Sequence, residues 1–531
     1  MAERTISQLR KGYQAANTEH GNWLSTWRDA YRLYQPQRDI TGGGARGQQK
    51  GQLVFDSTGM IASQAFRSRI TDALFPAFRD HIKLMPGPLI EASGGDVKEA
   101  RKKLDEVTRK YHALFHRSNF LVAFDEFLHD LIIGTGVMAI EEGPDYDPFY
   151  FCAIALPNVK LREGRYGSVG GFYRNIKKPL SVVRTEWPDL NSPKAWDDKG
   201  KADPDAEVEF IDVLYEDDEQ ASRWHYTAFE DRDGGDLLLS KQRKYEGRGP
   251  WLATRWEKAP DEVYGRGPGL QALPDMRTAN RLVELVLQNA SLAVAGVYTG
   301  VNDGILNPST VSLLPGSIIA VARNQGHPQG ASLAPLERAG DFDVSQIVLN
   351  DQRMQIKQLM FDRQLPPDAG PVRSATEIVE RVKDLARNTG PAFARLQREL
   401  IQPLVMRCLQ IMHRKGIIDF PATIDGQYIK MEVVSPLARE QQTAEIEASV
   451  NWLQLVSQLG PEMVALTVNV EGMPQYWAER LGVPQLLVRS DAERSMMQAA
   501  VAKMLAGQMA AQQSQGAPPQ GAPPPDGGEP V

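Results

Sequence analysis

Arg363 and Arg373 stand at the two ends of Arg363-Gln364-Leu365-Pro366-Pro367-Asp368-Ala369-Gly370-Pro371-Val372-Arg373, a run whose prolines and glycine interrupt any helix. A guanidinium offers a planar fork of donors that matches phosphate oxygens, so this loop is the best local candidate for touching phosphate. An ordinary connector between helices is the competing reading. His112 and His116 share a helix face at a spacing zinc can use, but no Glu lies beside His112 and no third ligand is evident. Packing or surface histidines are therefore favoured. Asp231, Asp233 and Asp236 lack the spread of a calcium loop and read as a solvated hairpin turn. Gly164, Gly167, Gly170 and Gly171 lack the dinucleotide-binding order, and no phosphate-binding Gly-x-x-x-x-Gly-Lys-Ser/Thr loop or serine elbow is present. The residues point to a non-enzyme with no cofactor and no metal.

The elements that would position these residues are read from length and pattern. At 531 residues the chain exceeds the ~250 to 300 at which one core stops growing, so several domains or one multi-part subunit are expected. A 42% hydrophobic fraction suffices for a packed core, and a net charge of −7 disfavours generic nucleic-acid binding through a basic surface. Cys152 and Cys408 are the only cysteines, each in an apolar run, so buried packing in a reducing compartment is expected. No apolar signal region opens the chain and no stretch approaches a membrane span, so a soluble protein made in the cytoplasm is expected.

Helical segments with aromatic faces (Trp23, Trp27, Tyr31, Tyr34) lead into helices after Asp56 or Ser57, over about 96–116, and over 121–133 with closure at Gly134. Residues 137–256 turn to short strand-like runs, among them 149–155, 169–174, 209–215 and 223–229. Two long apolar-striped helices then enclose a strand-rich insert. The first follows Tyr264-Gly265-Arg266-Gly267-Pro268-Gly269 and ends near Gly296; the second begins at Asp341 or Asp343 and ends before Pro366. Each helix of roughly 22 to 27 residues reaches about 33 to 40 Å. In the insert, strands are expected over 297–299, 311–314 and 317–321, and Leu314-Pro315-Gly316-Ser317 matches a type II turn, with proline fixing the first central residue and glycine supplying positive φ at the next. Ser374-Ala375-Thr376-Glu377 has capping-box spacing for a further helix that Gly390-Pro391 should kink and Gly416 should end. Helices rich in Gln, Glu and Ala follow from Pro436, and the proline-rich run 512–531 is expected to be disordered.

Five of these stretches carry a resemblance: Phe55-Asp56-Ser57-Thr58, Ile133-Gly134-Thr135-Gly136-Val137, Arg255-Trp256, Val263-Tyr264-Gly265-Arg266-Gly267-Pro268 and Ser374-Ala375-Thr376-Glu377-Ile378. In this order and around the helix pair, they resemble the portal, or head-to-tail connector, proteins of short-tailed podovirus-type bacteriophages, over residues 5–487. The resemblance implies a mainly helical α+β subunit in a homo-oligomeric ring, most often a dodecamer, at one capsid vertex. It implies a wing (1–265 and 374–435), a stem (266–296 and 339–362), a small α/β clip (297–338), a tunnel loop (363–373) and a helical crown (436–507), with the tail 508–531 outside the pattern. Arg363 and Arg373 would face double-stranded DNA during packaging and ejection. The clip turn at Pro315 and Gly316 would meet the terminase large subunit and then tail adaptor proteins, while capsid and scaffolding proteins surround the ring. The protein would be assembled in the host cytoplasm and carried in the virion. Another virion component, a scaffold or tail protein without a channel, is the alternative.

Overall fold

The computed structural model describes residues 3–38, 50–76, 80–89, 97–217, 223–231, 237–239, 241–295, 298–300, 333–335, 342–362, 391–419, 428–434 and 436–458, with scattered residues beyond. The chain divides into two compact units, Met1–Leu437 and Ala438–Val531.

In the first unit, α1 (Ile6–Tyr34) opens on a capping box in which Thr5 Oγ1 accepts from the Gln8 N–H and Gln8 Oε1 accepts from the Thr5 N–H. α2 (Thr58–Leu74), β1 (Ile82–Pro86), α3 (Val97–Phe115) and α4 (Phe120–Leu131) follow. Next come β2 (Thr135–Glu142), β3 (Phe149–Ile154), β4 (Val159–Glu163), β5 (Val169–Pro179), the short helices α5 (Leu180–Glu186) and α6 (Lys194–Ala202), β6 (Glu207–Glu216), β7 (Arg223–Phe229), β8 (Arg243–Glu246) and β9 (Trp251–Arg255). The helix pair is α7 (Pro268–Gln271) leading into α8 (Leu273–Ala295), then α9 (Phe342–Leu359). A backbone ladder of β10 (Tyr298–Gly300) with β11 (Leu333–Pro335) lies between them in sequence. A π-turn at Gln397–Ile401, α10 (Gln402–Arg414) and β12 (Ile429–Val433) complete the unit. α11 (Pro436–Ser457) leads into the second unit.

An antiparallel five-stranded sheet runs β4-β5-β6-β7-β8, and a three-stranded sheet runs β3-β2-β9. The apolar face of α1 packs on the larger sheet: Leu9, Tyr173, Ile211, Val213 and Phe229 are buried together. Each such side chain withdrawn from water contributes roughly 1.5–3 kcal/mol. The aromatic stripe on α1 packs into the core, with Trp27, Tyr31 and Tyr34 buried and Trp23 half-buried beside them. A second aromatic cluster joins α2, α3 and α4 through Phe75, Phe115, Phe120 and Phe124, with ring centroids 4.4–6.0 Å apart.

Several expectations need correction. Cys152 is exposed while Cys408 is buried. β3 is an edge strand in which buried Phe149 and Phe151 alternate with exposed Tyr150 and Cys152, so Cys152 falls on the outer face. β1 was not expected at all, because its register partner is β12, with Ile82 opposite Val433 and Pro86 opposite Ile429. A two-stranded pairing between such distant segments leaves little local signal. α9 has 18 residues, short of the expected length, for a reason given below. The π-turn was also unforeseen. Pro403 has no N–H to give the Glu399 carbonyl, which instead accepts from the Thr254 hydroxyl at 3.3 Å. The glycine end of α10 agrees with expectation: Gly416 has φ 68°, and the Ile417 N–H donates back to the Met412 carbonyl. The expected strands over 311–314 and 317–321, the capping box at Ser374, the tail and the loop 232–236 lie outside the described residues. Flanking that loop, Phe229 bridges Leu237, consistent with the expected hairpin.

Burial also sets a pH response. Desolvation pulls the pKa values of His20 and His129 from 6.5 to about 4, with nearby cations adding to the effect, and pulls His81 down as well. These rings stay neutral in the folded chain while the unfolded chain takes up protons near 6.5. Stability is therefore full above pH 6.5 and falls as pH drops toward 4, by up to about 1.4 kcal/mol per pH unit per group. Burial raises the carboxyl of Asp130, which acts in the opposite direction only near the carboxylate range. Urea midpoints are expected to decline between pH 6.5 and 5; a flat response there would show that these histidines are solvated.

Candidate functional site: the anchor of the paired helices

α8 and α9 pack on each other, and both are held to the body by the strap of residues 53–57, beside their contacts with α1 and α2. The Asn280 side-chain carbonyl on α8 accepts from the N–H groups of Phe55 (2.7 Å) and Asp56 (3.2 Å), while its amide donates to the Leu53 carbonyl (3.0 Å). The Asp56 carboxylate accepts from Arg353 Nε on α9 (2.9 Å) and from the Thr58 N–H (2.7 Å). Burial pushes the Asp56 carboxyl up, but the Thr58 hydrogen bonds and the Arg353 guanidinium outweigh it and leave the pKa below the usual range. One strap therefore clamps both long helices. Apart from its place in the Phe55–Thr58 stretch, Asp56 reads locally as a helix start, with Asp-x-Thr before a helix as the signal. Nothing local marks Arg353 as its partner.

The end of α9 explains its shortness. Phe361 takes a left-handed backbone at φ 56°, its N–H donates to Gln358, and the Asp362 N–H donates to Lys357 at 2.7 Å, closing the helix as a glycine usually does. A non-glycine residue there costs roughly 1–2 kcal/mol. The Phe361 ring sits 5.8 Å from Trp256 and 6.2 Å from Phe66, packing that opposes this cost. Asp362, buried, accepts from Arg69 of α2 at 3.0 Å. The chain is thus fixed just before Arg363. Arg363 and Arg373 themselves, like Pro315 and Gly316, lie outside the described residues.

Beside this anchor, two glycine-bearing segments cross at backbone contact. The Trp256 N–H donates to the Gly134 carbonyl (2.9 Å), the Gly267 N–H to Ile133 (2.9 Å), and the Gly265 N–H to the Thr135 hydroxyl (2.8 Å). A Cβ on Gly134 would overlap the Gly265 carbonyl. Arg255, 4% exposed, grips Glu399 through Nη2 (2.6 Å) and Nε (3.2 Å) and donates through Nη1 to the Gly167 carbonyl (3.0 Å). Four of the five stretches that carry the resemblance therefore lie at this anchor: the second, third and fourth touch directly, and the first is linked to them through Asn280 of α8 and through α2, whose Phe66 packs on Trp256 at 5.3 Å. The fifth, at Ser374, is outside the described residues.

His112 is buried, accepts through Nε2 from the His81 N–H (3.2 Å), and stacks on His116. Among the described residues, no group of three or more His, Cys, Asp or Glu could hold a metal, and no helix is long and apolar enough to cross a membrane.

Residues 7–488 match the family described as bacteriophage head to tail connecting protein. The chain belongs to that family. This connector is similar to the "Probable portal protein" of Bordetella phage BPP-1, at 24% identity over 94% of each chain. It is also similar to the "Portal protein" of Salmonella phage epsilon15, at 24% identity over 95% of this chain and 94% of that one. A solved structure described as "Virion of native gene transfer agent (GTA) particle" matches at 12% identity and a TM-score of 0.35, over 85% of this chain and 99% of that chain. The connector is a structural component of the phage particle with the portal role at the capsid vertex, at the head-to-tail junction; the scaffold or tail alternative is set aside.

Proposed function

We propose that the connector forms a dodecameric ring whose bore admits double-stranded DNA during packaging and releases it during ejection through a short tail. The family match along nearly the whole chain carries this reading. In it, residues 266–296 and 339–362, with α8 and α9, are the stem around the bore, 297–338 the clip, 363–373 the tunnel loop, 436–507 the crown, and 1–265 with 374–435 the wing. Leu287 and Ile347 on the stem helices are 52% and 64% exposed, apolar surface that supports neighbouring subunits packed against the stem. The clip docks the terminase large subunit and later tail adaptors, and the ring meets capsid and scaffolding proteins as it assembles in the host cytoplasm.

A conduit works only if DNA is not trapped, because each fixed cation that neutralises a phosphate adds salt-dependent affinity. An acidic chain with a few guiding arginines suits that demand. Electron-microscope images with solution mass should show closed rings with a duplex-wide hole; a closed oligomer without a bore would overturn the reading. Converting Arg363 and Arg373 together to alanine is expected to change packaging or genome retention while rings still form, and unchanged values for both would remove their role. Substitutions at Pro315-Gly316 should reduce co-purification of terminase or tail proteins more than ring yield, whereas normal capture would move docking elsewhere.

A further inference from the structure

A cavity of about 510 Å³ lies between the β4–β5 turn, β9 and the helical segment 391–403. Its wall is crowded with donors. Among the described residues, Arg248, Arg395 and Arg398 have no hydrogen bond or close ion pair, and Arg395 Nη1 is buried with no acceptor. Trp224, 5% exposed, lines the same cavity with its indole N–H buried and unmatched. Acceptors are scarce. Among the described lining residues the one carboxylate is Glu399, which accepts from the side chain and N–H of Arg255; it and Glu216 act on Arg248 only at longer range. Lys258 is neutralised by Glu163 at 3.0 Å. At the rim, Tyr166 is fully exposed and held in a left-handed backbone at φ 54°, a strained placement for a non-glycine residue.

We propose that this cavity binds a phosphate-bearing anion, gripped by Arg248, Arg395 and Arg398 with the Tyr166 ring at its mouth. Three guanidinium forks and an indole N–H offer more donors than the two oxygens of a carboxylate can accept, whereas a phosphate group presents three or more strong acceptor oxygens. The volume falls within the ~300–1,000 Å³ of small-molecule sites, with room for a nucleotide beside the aromatic wall of Trp251 and Phe172. The phosphate comes either from a free nucleotide or from a nucleic-acid backbone. This site stands on the cavity alone, and its fate is separable from that of the DNA channel.

The test is calorimetric titration of the full-length protein with inorganic phosphate, pyrophosphate, thymidine monophosphate and a short DNA duplex at low salt. Saturable binding of a small phosphate is expected, weakened roughly tenfold or more by Arg395→Gln and likewise by the exposed Arg398→Gln, as befits loss of a charge-assisted hydrogen bond. Tyr166→Ala should weaken the nucleotide more than inorganic phosphate. Binding confined to the duplex but lost in both arginine variants would uphold the site and assign the backbone as its source. No saturable binding, or binding that both variants retain in full, would overturn the proposal. Ring formation by the variants reports separately on the portal reading.

Discussion

Gly134→Ala is expected to cost on the order of 4 kcal/mol or more and to leave little folded subunit, the outcome reserved for backbone clashes that cannot relax. Gly134 has φ 152°, in a region that side chains rarely enter, and an added Cβ would overlap the backbone carbonyl of Gly265. That carbonyl belongs to a segment held by hydrogen bonds from Gly267 to Ile133 and from Gly265 to Thr135, so no side chain can swing aside. Gly21→Ala is the matched control. Gly21 lies inside α1 with nothing within 4 Å of a new Cβ, so alanine there should gain about 0.5–1 kcal/mol by limiting the unfolded chain. Urea unfolding of both purified variants decides the matter. Equal midpoints would show that the crossing at Gly134 yields, and that the anchor is softer than its geometry implies.

Arg255→Met is expected to cost about 3–5 kcal/mol, because it strands a carboxylate in a largely buried setting. Glu399 is 19% exposed at its side chain and receives its hydrogen bonds from Arg255. The same guanidinium closes on the Gly167 and Val263 carbonyls, so one side chain joins the π-turn, the β4–β5 turn and the segment before α7. Arg255→Lys should recover only part of the loss, since an ammonium cannot make the two-point grip. A lysine variant as stable as the parent in the same unfolding experiment would reduce Arg255 to a simple point charge.

Legibility in the sequence followed the range of the interaction. α2, α3 and α4 were placed within a few residues from apolar spacing, and β7 fell on its expected bounds. α9 was overextended because its stop signal is not a glycine or proline: Phe361 adopts the left-handed turn with Phe66 and Trp256 packed against it, and neither ring is near in sequence. Asp56 was visible as a helix start, but its partner Arg353 was not, since pairing a carboxylate across the chain requires the fold. The arginine-rich cavity was missed for the same reason: Arg248 and Arg398 belong to separate segments, and each looks like an ordinary surface charge where it stands.

The amino-acid sequence by itself determined the long helices, the strands β3, β5, β6 and β7, the glycine end of α10 and, through ordered motifs, the connector family, whereas α5 and α6 fall inside a region that reads as strands. Those features rest on period, capping and turn chemistry, which act over a few residues. Only the tertiary structure decided that four motifs build one anchor, that β1 pairs with β12, that Cys152 faces outward, and that Arg248, Arg395 and Arg398 share one cavity. These depend on which distant surfaces exclude water together and which buried charges find partners, and no local pattern encodes either choice.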